Sequence, residues 1–148
     1  MIEPVTEEDL TEIHALIECA VRESVAISSE DAKFLIADIF ESLEWWQEHK
    51  KESLHLKYSS EGNIVGVVLV KELWNLTNLF VLPTHYRHGI GSALLQEVLG
   101  VCKGRSPRDK IQVNSSTNAV KFYAAMGFKQ TGPGKDRPGG CIPFEYGF

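Results

Sequence analysis

The stretch Leu79-Phe80-Val81-Leu82-Pro83-Thr84-His85-Tyr86-Arg87-His88-Gly89-Ile90-Gly91-Ser92-Ala93-Leu94-Leu95-Gln96-Glu97-Val98-Leu99 changes its patterning halfway. Leu79 to Leu82 is an unbroken apolar run and reads as a buried strand. Pro83 ends it, having no N–H for a ladder. A polar loop, Thr84 to His88, leads to Gly89 and Gly91, where the backbone can turn tightly and lie open. From Ile90 a helical pattern begins, with Ile90, Leu94, Val98 and Val101 on one face and Leu95, Leu99 and Cys102 beside them. The unit is strand, glycine turn, helix. Free N–H groups at such a helix start point outward, and the dipole favours an anion there. A phosphate or pyrophosphate is the expected guest.

Two nucleotide motifs share parts of this pattern. A dinucleotide fingerprint needs a third glycine where Leu94 stands, and an acid after the next strand, whereas Asp109 precedes its strand. The P-loop pattern, Gly-x4-Gly-Lys-Ser/Thr, does not occur in the chain.

The 148 residues suit one domain, 1–148, that buries about two-thirds of its unfolded surface. A hydrophobic content of 43% and a charged content of 24% match a soluble globular protein. No apolar run approaches the ~20 residues of a membrane span, so no membrane partner is expected. Met1-Ile2-Glu3-Pro4 does not read as a secretory signal, which makes a cytoplasmic setting the expectation. Cys19, Cys102 and Cys141 stand far apart, without Cys-x-x-Cys or His-Glu-x-x-His, so reduced thiols and no metal are expected.

The net charge of −5 conceals an asymmetry. Residues 1–60 carry 14 acidic and 5 basic side chains; residues 61–148 carry 6 and 10. Two readings stand: solvated helices at the front, or a polyanion site in the second part beside a cation-attracting first part. A nucleic-acid binder would show a basic balance, so nucleic acid is not an expected partner.

Ile2 to Val5 is a short strand, and Thr6 with Asp9 marks a helix start. Leu10, Ile13, Ile17 and Val21 continue that helix; Ser28 and Asp31 start a second that runs to about His49. Its aromatic end, Trp45-Trp46, reads as packing or as the wall of an acceptor pocket. Leu54, Leu56 and Tyr58 alternate with His55, Lys57 and Ser59 in a half-buried strand. Ile64 to Val70 and Trp74 to Leu82 are the next strands, after a tight turn at Glu61-Gly62-Asn63. Beyond the central helix, Ile111 and Val113 mark a fifth strand, Phe128 to Thr131 a sixth and Ile142 to Phe148 a last one. Between these, a helix from Ser116 or Thr117 stops at Gly127, and Gly132 to Gly140 reads as a mobile loop.

A second motif lies at Asn114-Ser-Ser-Thr-Asn-Ala-Val-Lys-Phe-Tyr-Ala-Ala-Met-Gly-Phe128. Together the two stretches resemble motifs A and B of the GNAT superfamily of N-acetyltransferases, in the same order and about 30 residues apart. Motif A is a strand, often Pro, then Arg/Gln-x-x-Gly-x-Gly/Ala and an apolar helix. Gly89 and Gly91 match it; Tyr86 stands in the Arg/Gln place, with Arg87 one residue later. Motif B is matched by Ala119, Phe122, Tyr123, Gly127 and Phe128, with Ser116 where the family often has Asn.

The resemblance implies an α/β (α+β) fold: a mixed, mostly antiparallel sheet of about seven strands, with about four helices packed on both faces. It implies acetyl-CoA as cosubstrate, with no metal. Leu79, Phe80 and Val81 would hold the pantetheine arm through their backbones, like an added strand. Arg87, His88, Gly89, Ile90, Gly91 and Ser92 would cradle the pyrophosphate, and Ser116, Asn118 and Phe122 would line the other side. The implied reaction is direct attack by a primary amine, small or peptidyl, with the oxyanion met by a backbone N–H of the bulged strand, near Phe80 or Val81. Tyr123 would be the catalytic donor to the departing thiolate. The family often places a Glu on the fourth strand, and none is present here. The base is left open among Glu41, Glu44, Glu72, His85 and water; the acyl length and a homodimer also stay open. The competing reading is a non-catalytic acyl-CoA-binding sensor or scaffold module.

Overall fold

All the strand-forming runs find places in one sheet. The computed structural model describes residues 1–24 and 27–148. In chain order come β1 (Ile2–Pro4), α1 (Leu10–Ser24), α2 (Ser29–Glu48), β2 (Ser53–Ser60), β3 (Asn63–Lys71) and β4 (Asn75–Val81). Then follow α3 (Ile90–Cys102), β5 (Lys110–Ser115), α4 (Val120–Ala125), β6 (Lys129–Gln130) and β7 (Ile142–Gly147). The sheet order is β1-β2-β3-β4-β5-β7-β6, and every pairing is antiparallel except the parallel β4–β5.

Local chemistry sets the helix starts. The Thr6 N–H donates to Asp9 Oδ2 at 2.8 Å, and Lys57 Nζ joins the same oxygen at 2.8 Å, tying the entry of α1 to β2. Burial resists ionisation of Asp9, but Lys57 and the Thr6 N–H outweigh it and hold the carboxyl below its usual range. Ser28 Oγ accepts the Asp31 N–H at 3.1 Å and caps α2.

The apolar stripes of α1 and α2, among them Ile13, Ile17, Ile39 and Leu43, cover one face of the sheet against Val67 and Leu69. On the other face, Leu94, Leu95 and Val98 of α3 pack with Val68, Val70, Ile111 and Val113. Strand β3 is thus covered on both sides, and Ile64 to Val70 are all buried rather than alternating. Gly66 permits this closeness: a Cβ there would lie 2.7 Å from Ile90 Cγ2.

Trp45 and Trp46 take the packing role. Trp46 is buried edge-on to the His55 ring, and Trp45 stacks on His49 at 4.3 Å.

The centre of the sheet departs from expectation at one point. Leu69 pairs with Asn78 and Val70 with Leu76, so Thr77 is an extra residue on β4. The bulge is therefore at Thr77, on the same strand as Phe80 and Val81 and just before them. It bends β4 where the strand leaves its parallel neighbour, because β4 and β5 pair only at Asn75–Gln112 and Leu76–Val113. As a result Leu79 to Leu82 are half-buried rather than buried: β3 covers one edge from Leu79 to Val81, and the other edge faces an opening. The expected mobile loop is tied down, with Thr117 N–H bonded to Gly139 O at 3.0 Å and Lys135 N–H to Cys141 O at 2.8 Å. The expected last helix begins as a 3-10 turn, Thr117–Ala119.

Candidate active site

The parting of β4 from β5 leaves a groove of about 870 Å³. Leu79, Phe80 and Val81 of β4 form one wall. Ser116, Asn118, Phe122 and Tyr123, on the segment after β5, form the facing wall. At the mouth lie Arg87 and the start of α3, Gly89 to Ser92. The residues named from the sequence for the cofactor are thus brought together, apart from His88. That residue is exposed off the groove, its ring edge-on to His85 at 5.8 Å. Ala20, His85, Tyr86 and Ala119 also border the groove.

The mouth has the form of an anion site. Gly89 caps α3 at φ 76°, the left-handed conformation that glycine adopts without strain, and its carbonyl accepts the Ala93 N–H at 2.9 Å. The N–H groups of the first turn of α3 therefore have no partner within the helix, and they carry its positive pole. Arg87 is also left-handed, at φ 64°, a conformation that costs a side-chain-bearing residue energy. A Cβ at Gly91 would meet the Phe122 ring at 3.6 Å and Val81 at 3.8 Å, ordinary contact distances, so a longer side chain there would extend among these groove-lining groups.

Tyr123 lies at the inner end, 5% exposed, within an aromatic cluster. Its ring meets Phe122 at 5.2 Å and Phe128 at 5.5 Å, both edge-on. Burial pushes its hydroxyl well above the ordinary tyrosine range, so the group stays protonated and can donate. Tyr123 thus both packs in this cluster and borders the groove.

Of the side chains considered as proton acceptors, His85 alone borders the groove. Its Nδ1 lies 2.9 Å from Thr84 Oγ1, and the residue also borders a smaller cavity of about 330 Å³ with Glu12 and Glu61. Glu41 and Glu44 are exposed on α2. Glu72 is exposed too, its Oε2 accepting the Trp74 indole N–H at 3.1 Å. Among the described residues no group of three or more His, Cys, Asp or Glu could hold a metal, and no helix is long and apolar enough to cross a membrane.

Ala20 is the wall residue that sequence reasoning missed. Its place on the inner face of α1, one turn after Leu16, was legible as a helical stripe. Nothing in the sequence says which strand that stripe overlies.

Residues 11–142 match the family model described as the acetyltransferase (GNAT) domain. The peptidyl-lysine N-acetyltransferase YiaC of Escherichia coli (strain K12) is 35% identical over 72 residues, which cover 48% of this chain and 47% of that protein. The match to this curated relative spans about half of its length. A GCN5-related N-acetyltransferase of Rhodopseudomonas palustris superposes with a TM-score of 0.83 at 18% identity, covering 100% of this chain and 95% of that one. The PaiA N-acetyltransferase of Thermoplasma acidophilum, solved in complex with coenzyme A, gives a TM-score of 0.82 at 17% identity, covering 100% and 98%.

Proposed function

The chain belongs to the GNAT acetyltransferase family, and on that premise we propose that residues 1–148 form one N-acetyltransferase domain moving an acetyl group from acetyl-CoA to a primary amine. The opening between β4 and β5, with a helix start at its mouth and Tyr123 at its inner end, carries this reading. Arg87 and the N–H groups from Gly89 to Ser92 hold the pyrophosphate. The free edge of β4 at Leu79, Phe80 and Val81 bonds the pantetheine arm as a neighbouring strand would, while Ser116, Asn118 and Phe122 close the far side.

A neutral amine attacks the thioester carbon. An N–H on the free edge of β4 meets the oxyanion. The C–S bond breaks, sulfur leaves with the electron pair, and the Tyr123 hydroxyl donates to it. The amine's proton passes to His85 or to water. The partial match to a peptidyl-lysine N-acetyltransferase supports a lysine side chain as acceptor. Strand β4 carries no carboxylate, and this feature favours the second reading, a non-catalytic acyl-CoA-binding module.

Acetyl-CoA is expected to raise Tm, as a ligand of the native state does, by about 2.7 kcal/mol of stability at a hundred times Kd. Gly91→Glu should remove the shift by placing bulk and negative charge between Phe122 and the helix start. An unchanged Tm of the parent protein at millimolar acetyl-CoA overturns the reading. Thiol release over a panel of amines and lysine peptides then separates enzyme from binder. In that assay Tyr123→Phe is expected to lower kcat by about 10²-fold while the Tm shift by acetyl-CoA persists. Full activity would leave Tyr123 only its packing role.

A further inference from the structure

We propose that the side-chain amide of Asn78 is a catalytic donor, its Nδ2 hydrogen-bonding the thioester oxygen as that atom becomes an oxyanion. The inference rests on the thioester reading of the groove given above and adds a second donor beside the backbone N–H.

Two neighbouring side chains of β4 are exceptional in the interior. Thr77 Oγ1 and Asn78 Nδ2 are buried and have no hydrogen-bond partner among the described residues. Asn78 as a whole is 2% exposed. A buried donor left without a partner lowers stability, and such groups persist where function requires them. Both lie at the step where β4 leaves β5, directly after the last pair of the two strands, Leu76–Val113.

Register fixes the side to which each residue turns. Asn78 stands opposite Leu69, and Phe80 opposite Val67. Leu69 and Val67 pack under α1 and α2, so Asn78 and Phe80 share that face of the sheet. Phe80 borders the groove there together with Ala20. Asn78 follows on the same face, two residues or about 7 Å along the strand. The lining of the groove on β4 stops at Leu79, so Asn78 adjoins its inner end.

The backbone supplies the companion donor. The Leu82 N–H bonds Val65 O at 2.9 Å, on the β3 side. Strand N–H groups point to alternate edges, so those of Leu79 and Val81 face the groove. A thioester oxygen seated on the Leu79 N–H is one residue from Asn78. The Leu79 side chain and Tyr123 belong to the α3 side of the sheet. The carbonyl carbon then has its oxygen toward Asn78 and its sulfur toward Tyr123. As the C–N bond forms, the carbonyl pair moves onto oxygen. As that pair returns, the C–S bond breaks, sulfur leaves with its electrons and takes a proton, and the amine gives one up to solvent. Asn78 keeps its protons throughout.

The test is turnover of acetyl-CoA with one amine acceptor, read by thiol release, beside thermal unfolding with and without acetyl-CoA. Loss of one oxyanion donor lowers kcat by about 10²- to 10³-fold. Asn78→Leu is expected to lower kcat by about 10²-fold at an unchanged KM for the amine, and to keep the Tm shift by acetyl-CoA. Its own Tm should rise by about 2 to 5 °C, since no donor is then left unpaired. A neutral amide does not titrate, so the pH profile of kcat should keep its shape. Thr77→Val is the comparison: it removes the adjoining unpartnered hydroxyl and should raise Tm with no loss of kcat. If the leucine variant does not fold, kcat and the pH profile of Asn78→Ala decide. Unchanged kcat in a folded Asn78 variant, a loss carried by the amine KM alone, a displaced pH profile, or kcat and Tm falling together in every variant overturns the inference and leaves acetyl transfer standing. Absence of wild-type turnover with every amine, despite a Tm shift by acetyl-CoA, removes the enzyme reading along with it.

Discussion

His55 lies in β2, 5% exposed, with its ring edge-on to Trp46 at 4.6 Å and neither ring nitrogen bonded to a protein group. Its place opposite Leu69 puts it under α2, on the face the sequence assigned to the outside of a half-buried strand. The alternation with Leu54 and Leu56 was legible; that α2 would cover the polar side at this one position was not. Burial pushes the imidazole down to about 3, with the charge of Asp9 pulling weakly the other way. In the unfolded chain the same group titrates near 6.5. Between these values the unfolded state binds more protons, so stability falls as pH drops through about 6.5 and is fully present above it. The expected loss at pH 5 is about 2 kcal/mol from this residue. Urea denaturation at pH 7.5 and pH 5 checks it: His55→Leu should flatten the difference between the two, and an equal slope in both proteins would place the acid sensitivity elsewhere.

At the scale of elements, the loop between β6 and β7 holds the far wall of the groove. Gly139 O accepts the Thr117 N–H, which fixes the turn carrying Ser116 and Asn118. Gly140 follows at φ +93°, where a Cβ would overlap Thr117 Oγ1 and come within 2.8 Å of Thr117 N. Gly140→Ala is therefore expected to cost about 2 kcal/mol, from left-handed strain and displacement of the turn, and to lower Tm by about 5 °C. Gly132→Ala is the internal comparison. Its Cβ would meet only Pro143 Cγ at 3.6 Å, so it should change stability by less than about 0.5 kcal/mol. Equal thermal shifts in the two variants would count against a pinned loop. The glycines and prolines of residues 132–140 read as looseness because composition reports which conformations are allowed, not which bonds are made. The Thr77 bulge was hidden for a related reason. Strict alternation sets Leu76 on the same side as Asn78 and Phe80, whereas the bulge moves it across to the side of Leu79 and Val81. The adjacent polar pair Thr77-Asn78 breaks the apolar rhythm at that step, and this was the one available trace.

For the whole molecule, the order of elements followed from periodicity, because apolar stripes must be covered whatever covers them, whereas the helical layers on both faces came from the family resemblance. Motif residues of the candidate site were legible since Gly89, Gly91 and Tyr123 carry chemistry in their identity. Ala20 was not, because its place beside the groove depends on which strand α1 docks against, and a small apolar residue does not announce that. The two residue pairs that join β4 to β5 have a mechanical consequence. Strands β1 to β4 and strands β5, β7 and β6 form two blades riveted near Leu76 and Val113, and torsion between the blades concentrates at that rivet. A guest laid strand-like along the gap would act as a splint, converting a jointed plate into a stiff one.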